Sequence, residues 1–151
     1  MVARLGFCAQ QICEHFAPRL GVDERLAVGM GSAFGMGMGH ADVCGCISGA
    51  LMVLGIRYGS ASTLEKGKLR KPLLVQKVTE FDRRFSEMQP CRSCRDILGM
   101  DITQPGVMKQ AAEQGLFKSV CQEMTKRTCA ILEDMLNEDD EQDSSGSGSI
   151  S

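Results

Sequence analysis

Tryptophan is absent from this 151-residue sequence, tyrosine occurs once and phenylalanine six times, so aromatic residues make up only 5% of the chain. So sparse a set argues against all-β sandwiches and against the base-stacking platforms of single-stranded nucleic-acid binders. Long apolar runs are missing too. The longest apolar-and-small stretch, 44–56, has 13 residues, well short of the roughly 20 needed to cross a bilayer, so no membrane insertion is expected. The opening MVARLGFCAQQICEHF holds one Arg and no uninterrupted apolar segment. It does not read as a secretory signal, and the expected location is cytoplasmic. Excess charge of either sign is lacking: the net charge is -2, with 24% charged and 43% hydrophobic residues. Whole-chain disorder and a polybasic nucleic-acid binder are both poor fits to that balance.

The small net charge conceals a split. Seven acids and no Lys or Arg fall in 133–151, leaving 12 acids against 17 bases before them. The body is mildly basic and the end is acidic. The length suits one domain, and the reading is an all-α helical bundle over 1–137 with a disordered acidic, Ser/Gly-rich tail over 138–151. Leu5, Cys8, Ile12 and Phe16 share one face of a first helix over 2–16, expected to stop before Pro18. Asp23 caps a second, through Ala33. A glycine-rich stretch, GMGSAFGMGMGH, weakens helix and allows close backbone approach. Asp42 is the expected cap of a third helix at about 44–56, apolar all round and therefore central, with Gly45, Gly49 and Ala50 as points of close contact. Leu74, Val78, Phe81, Phe85 and Met88 form the stripe of a fourth helix ending before Pro90. Short helices over 91–98 and 104–114 are closed by Gly99 and Gly115. A last one, over 116–137, carries Phe117, Cys121, Met124, Thr128, Ile131 and Met135.

What the sequence has in plenty is sulfur: eight cysteines and ten methionines. In a reducing compartment that many thiols point to metal or redox work more than to a disulfide framework. They fall in four pairs, Cys8 and Cys13, Cys44 and Cys46, Cys91 and Cys94, Cys121 and Cys129, one member of each on an inward stripe or at a helix start. Four elements each delivering a thiol toward a central helix is what a four-thiolate centre needs, iron-sulfur or zinc, although the spacing matches no standard finger or ferredoxin pattern. Cys13 and Cys129 read equally well as small buried hydrophobes. Cys44, in the first turn of a capped helix, sits where the thiolate is favoured. Cys91 and Cys94 have redox-dithiol spacing without the β-α-β setting of thioredoxin-like motifs.

Other motifs carry little. The glycines fit neither GxGxxG nor GxxxxGK[ST], and no strand precedes them, so a nucleotide site is not expected. No Cys-x-x-Cys is followed by His, which removes covalent c-type haem. His15 reads as an exposed helix residue and His40 as a donor near Cys44. Met30, Met36 and Met38 read as packing filler.

Four segments together resemble one family. GFCAQQI around Cys8, AVGMGSAFGMGMGHADVCGCISGALMVLG around Cys44, FDRRFSEMQPCRSCRDILGMD around Cys94 and VCQEMTKRTCAILEDML around Cys121 are similar to the motifs of the C-GCAxxG-C-C family of redox-active proteins, over about 5–136. The sequence departs from the pattern in having Cys46 where the family has Ala after Cys-Gly, and in the extra Cys13, Cys91 and Cys129. The resemblance implies an all-helical, redox-active protein of a kind for which an iron-sulfur centre is suggested; the reading favoured here is that Cys8, Cys44, Cys94 and Cys121 converge and bind an iron-sulfur cluster, most simply 2Fe-2S, for electron transfer or sensing, with a redox partner protein. It names no substrate. Two rivals stand beside it: a cluster-free thiol-disulfide oxidoreductase in which Cys44 attacks and Cys94 resolves, and a zinc-stabilised interaction module. No nucleic-acid partner is expected, and a homodimer is left open.

Overall fold

The computed structural model describes residues 6–59 and 71–146. Over these the chain is a bundle of seven α-helices without a strand: α1 Cys8–Leu20, α2 Glu24–Gly31, α3 Gly45–Tyr58, α4 Lys71–Met88, α5 Cys94–Leu98, α6 Val107–Glu113 and α7 Glu123–Gly146. Two π-helical turns, Gly37–Ala41 and Phe117–Gln122, lead toward α3 and α7. No helix of the described residues is long and apolar enough to cross a membrane.

The core is the all-α bundle expected around the third helix. Ile12 and Phe16 from α1, Ile47, Val53 and Leu54 from α3, Phe81 and Phe85 from α4, and Leu132 and Leu136 from α7 are 0–1% exposed and form one cluster. Burying each such side chain contributes about 1.5–3 kcal/mol. The small residues of α3 set the spacing. A Cβ on Gly49 would stand 3.0 Å from Ala9 Cα, and one on Gly45 would stand 3.1 Å from Ala9 N, so α1 and α3 touch backbone to backbone. The burial of α3 on every face holds only for its first half, because Leu51 and Ile56 are exposed on its far side.

Element ends differ from expectation for identifiable reasons. α1 starts at Cys8 after an extended Phe7, and it passes through Pro18 to a left-handed Gly21. Proline in a last turn forfeits one ladder bond, while the buried Ala17 keeps that turn packed. Asp23 caps α2 as expected, accepting from Leu26 N at 2.8 Å, and α2 ends at Gly31 before a short 3₁₀ turn, Ser32–Phe34. Cys44, not Asp42, is the N-cap of α3. α5 begins at Cys94 because Ser93 accepts from Asp96 N, and 91–93 stay outside the helix. The expected loop after α3 lies, for 60–70, outside the described residues.

α7 does not stop at Asn137, where the domain was expected to end, but continues to Gly146. Its acids meet the bases of the body: Glu138 pairs with Arg84 at 2.8 Å, Asp139 with Lys77 at 2.6 Å, and Asp140 with Arg19 at 2.9 Å and Arg57 at 3.4 Å. Tyr58 donates its hydroxyl proton to Asp139 as well. Arg19, Arg57 and Tyr58 come from the ends of α1 and α3 opposite to Cys8 and Cys44, and Lys77 and Arg84 from α4. The acids at this end offset bases that composition counted as free.

Candidate functional site

The N-terminal ends of α1 and α3 lie together because glycine lets them. A Cβ on Gly45 would stand 3.2 Å from Cys8 Cβ, so the first residue of α1 sits against the first turn of α3. Cys94 is brought to the same place by a miniature ladder: Cys44 N donates to Arg92 O at 2.9 Å, Cys94 N to Asp42 O at 2.5 Å, and Val43 and Ser93 form an antiparallel bridge. Gly37 completes the packing. It has φ +61°, and a Cβ there would lie 2.4 Å from Asp42 N and 2.9 Å from Cys94 Cβ, which no other residue tolerates. That is the close backbone approach the glycine-rich stretch exists for. Cys121 arrives from the π-turn before α7, its carbonyl accepting from Thr125 Oγ1 at 2.9 Å.

The four thiols expected to converge, Cys8, Cys44, Cys94 and Cys121, all line one cavity of about 360 Å³. Its other walls are largely apolar: Phe7, Met36, Ile97, Leu98, Ile102 and Phe117. Three of the cysteines mark helix N-termini, Cys8 and Cys94 as first residues and Cys44 as cap. Unpaired N–H groups and the positive end of the dipole favour anionic sulfur there, with most of the effect from α1 and α3, since α5 has only five residues.

The thiols also act on one another. Hydrogen bonds from Cys121 and Cys46 outweigh burial at Cys8 and hold its pKa well below the usual thiol value. A bond from Cys46, joined by the backbone N–H groups of Cys46 and Ile47, lowers Cys44 in the same way. The donors shift upward: Cys121 because it gives its proton to Cys8, Cys46 because it faces Cys44 and Cys8. Burial, then the charges of Cys44 and Cys8, push Cys94 up to about 11.

The remaining cysteines stay out of the cavity. Cys13 is buried and meets Met52 Sδ at 3.5 Å, while Cys129 packs on the core and is pushed up to about 12 by burial and by Glu133. Cys91 is half-buried and does not line the cavity. His15 is exposed as expected and pairs with Glu133 at 2.6 Å. His40 is exposed and contributes only its carbonyl, to Arg95, so it does not support Cys44. Of the three methionines read as filler, Met36 lines the cavity, while Met30, near the end of α2, and Met38, in the π-helical turn, are exposed. Sequence reasoning had no signal for Thr125, which lies outside the stripe read for the last helix.

As donors, four cysteines around a largely apolar recess, with helix N-termini behind Cys8 and Cys44, fit an anionic iron-sulfur cluster. Among the described residues, no three His, Cys, Asp or Glu side chains gather around a single point as one ion requires. A two-iron cluster asks for less at each point, namely a pair of thiolates per iron. The chain matches the family described as "Putative redox-active protein (C_GCAxxG_C_C)" over residues 7–135. No curated protein and no solved structure matches the chain.

Proposed function

The chain belongs to the C_GCAxxG_C_C family of redox-active proteins, and from that premise we propose that Cys8, Cys44, Cys94 and Cys121 hold an iron-sulfur cluster, most simply 2Fe-2S, used for electron transfer or redox sensing. The observation that carries this reading is the meeting of these four thiols, from four separate elements, around one cavity with apolar walls. When bound, such a cluster takes up and returns one electron. The chain supplies the thiolates, the helix ends that favour their charge, and walls that keep water from the sulfurs. Phe7, 45% exposed, and Met108, 39% exposed, stand where the cavity meets solvent and offer a redox partner protein a short path to its floor. The test is anaerobic reconstitution of the apo chain with ferrous iron and sulfide. Visible charge-transfer bands with an electron paramagnetic signal on one-electron reduction support the reading, and a colourless product that binds no iron overturns it.

The shared cavity of Cys8 and Cys121, with the Cys8 pKa held low first by Cys121, favours a second reading, thiol-disulfide exchange. The Cys8 thiolate would attack a partner disulfide and expel one thiol, and Cys121 would then displace the second, leaving a Cys8–Cys121 disulfide. Mass mapping after treatment with oxidised glutathione distinguishes this pair from the Cys44–Cys94 pair suggested by sequence. Zinc finds the least support, because a structural site needs four ligands around one ion and no three gather so among the described residues.

A further inference from the structure

The cavity is larger than its thiols need. Its volume is about 360 Å³, and the four core atoms of a two-iron cluster, counted as water-sized shares of about 30 Å³ each, take up roughly a third of it. The remainder, about 240 Å³, exceeds the roughly 150 Å³ of an apolar cavity that holds benzene. This space runs from the surface inward: Phe7 and Met108 are exposed at its mouth, while Leu98, Ile102 and Met124 in its wall are buried. The lining narrows what fits. No Lys, Arg, His, Asp or Glu lines the cavity among the described residues, so a carboxylate or phosphate entering it would find no ionic partner. Phe7, Phe117, Met36, Met108 and Met124 do line it, and phenyl rings and thioether sulfurs both pack well on an aromatic ring. Three glutamines complete the lining. Gln11 donates to Gly6 O at 2.5 Å, and Gln10 accepts from Phe7 N at 3.1 Å and donates to Val28 O at 3.4 Å, whereas the Gln122 side chain makes no hydrogen bond among the described residues.

We propose that the space beside the thiols is a binding site for an uncharged, single-ring aromatic molecule carrying one polar oxygen, its ring among the phenylalanine and methionine side chains and its oxygen on the Gln122 amide. The size suits the space that remains, and a few polar groups in an apolar pocket are what fix the orientation of a small ligand. The site goes beyond the cluster reading and concerns binding alone, so it holds whether or not the thiols carry iron. A molecule held there lies in the same cavity as the cysteine sulfurs, the position that a substrate of the site needs.

The experiment uses the full chain purified without oxygen, its iron content measured beside each titration, and three probes followed by fluorine NMR: para-fluoroacetophenone, fluorobenzene, which lacks the oxygen, and para-fluorobenzoate, which is charged. The ketone should saturate one site per chain with a Kd below about 1 mM, and the benzoate should bind at least about tenfold more weakly. Gln122→Leu should weaken the ketone by roughly two- to tenfold, the worth of one hydrogen bond, and leave fluorobenzene unchanged. Met108→Trp, at an exposed position of the mouth, should close the entrance and remove binding, with an unchanged circular dichroism spectrum showing that the fold is kept; if that variant does not fold, Gln122→Leu decides. The proposal is overturned by the absence of a saturable site, by benzoate binding as tight as that of the ketone, by full affinity in a folded Met108→Trp chain, or by an unchanged affinity in Gln122→Leu. An iron-free chain that still binds the ketone in this pattern supports the site while the cluster reading fails.

Discussion

One substitution made at two places in α3 should have opposite effects. Gly49 and Gly55 both lie inside the helix, and replacing a mid-helix glycine with alanine gains roughly 0.5–1 kcal/mol from backbone entropy. At Gly55 nothing stands within 4 Å of the new methyl, so Gly55→Ala should keep that gain and raise Tm by roughly 1–4 °C. At Gly49 the methyl would meet Ala9 Cα at 3.0 Å, Ala9 O at 3.2 Å and Ile12 Cβ at 3.2 Å. Ordinary carbon contacts are about 3.5–4.0 Å, and two of the three atoms are backbone, so no rotamer change relieves them. α1 must move outward. Overpacking of this kind costs about 1–3 kcal/mol, which leaves a net loss of about 1–2 kcal/mol and a Tm lower by roughly 2–8 °C. Cys8 precedes Ala9 directly, so the same movement should pull it from Cys44 and weaken metal uptake. Urea titration of the metal-free chains, followed by far-ultraviolet circular dichroism, reads both changes. A Gly49→Ala protein as stable as wild type would refute the close seam between α1 and α3.

Other consequences are equally direct. Phe81→Ala, at a fully buried site, should cost about 3–5 kcal/mol through the cavity it leaves, measured by denaturant titration. Truncation after Asn137 should lower Tm by a few degrees despite the tail's polar composition, because it removes Glu138, Asp139 and Asp140, which pair with Arg84, with Lys77 and Tyr58, and with Arg19; an unchanged Tm would show that 138–151 is the dispensable tail its composition suggests. Burial raises the Asp139 pKa, but hydrogen bonds from Lys77 and Tyr58 outweigh it and leave the carboxyl below its ordinary value. Its contribution to stability is therefore full above the unfolded-state pKa of about 3.9 and is lost as pH falls below it. Asp139→Asn should flatten the acid limb of a stability-against-pH curve, and an unaltered limb would count against the pairing. Cys129, pushed up to about 12, should be alkylated at pH 8 far more slowly than an unfolded-chain thiol, as peptide mass mapping can show.

The fold was legible where side-chain periodicity reports burial directly. The stripe through Phe81 and Phe85 and the small residues of α3 pointed to the core that forms, and the four cysteines assigned through helix position and family motif line one cavity. What escaped depends on contacts between distant segments. Cys44 caps α3 because its N–H is held by Arg92 O, a partner that no local pattern near Asp42 reveals. The acidic run 138–143 has the composition of a tail, and its helix is matched by bases scattered from Arg19 to Arg84. Cys46 looks like Cys44 in sequence, and only the orientation of the helix start separates the fully buried Cys46 from the cavity-lining Cys44.

The account stands or falls on what the four cavity thiols hold. The full chain, purified without oxygen, should carry about two iron and two sulfide per molecule, with little zinc. Each of Cys8→Ser, Cys44→Ser, Cys94→Ser and Cys121→Ser should lose that iron, while Cys13→Ser and Cys129→Ser keep it. Iron and sulfide absent from the wild-type chain even after reconstitution, or retained in full when any one of the four is replaced, would contradict a four-thiolate cluster at this site.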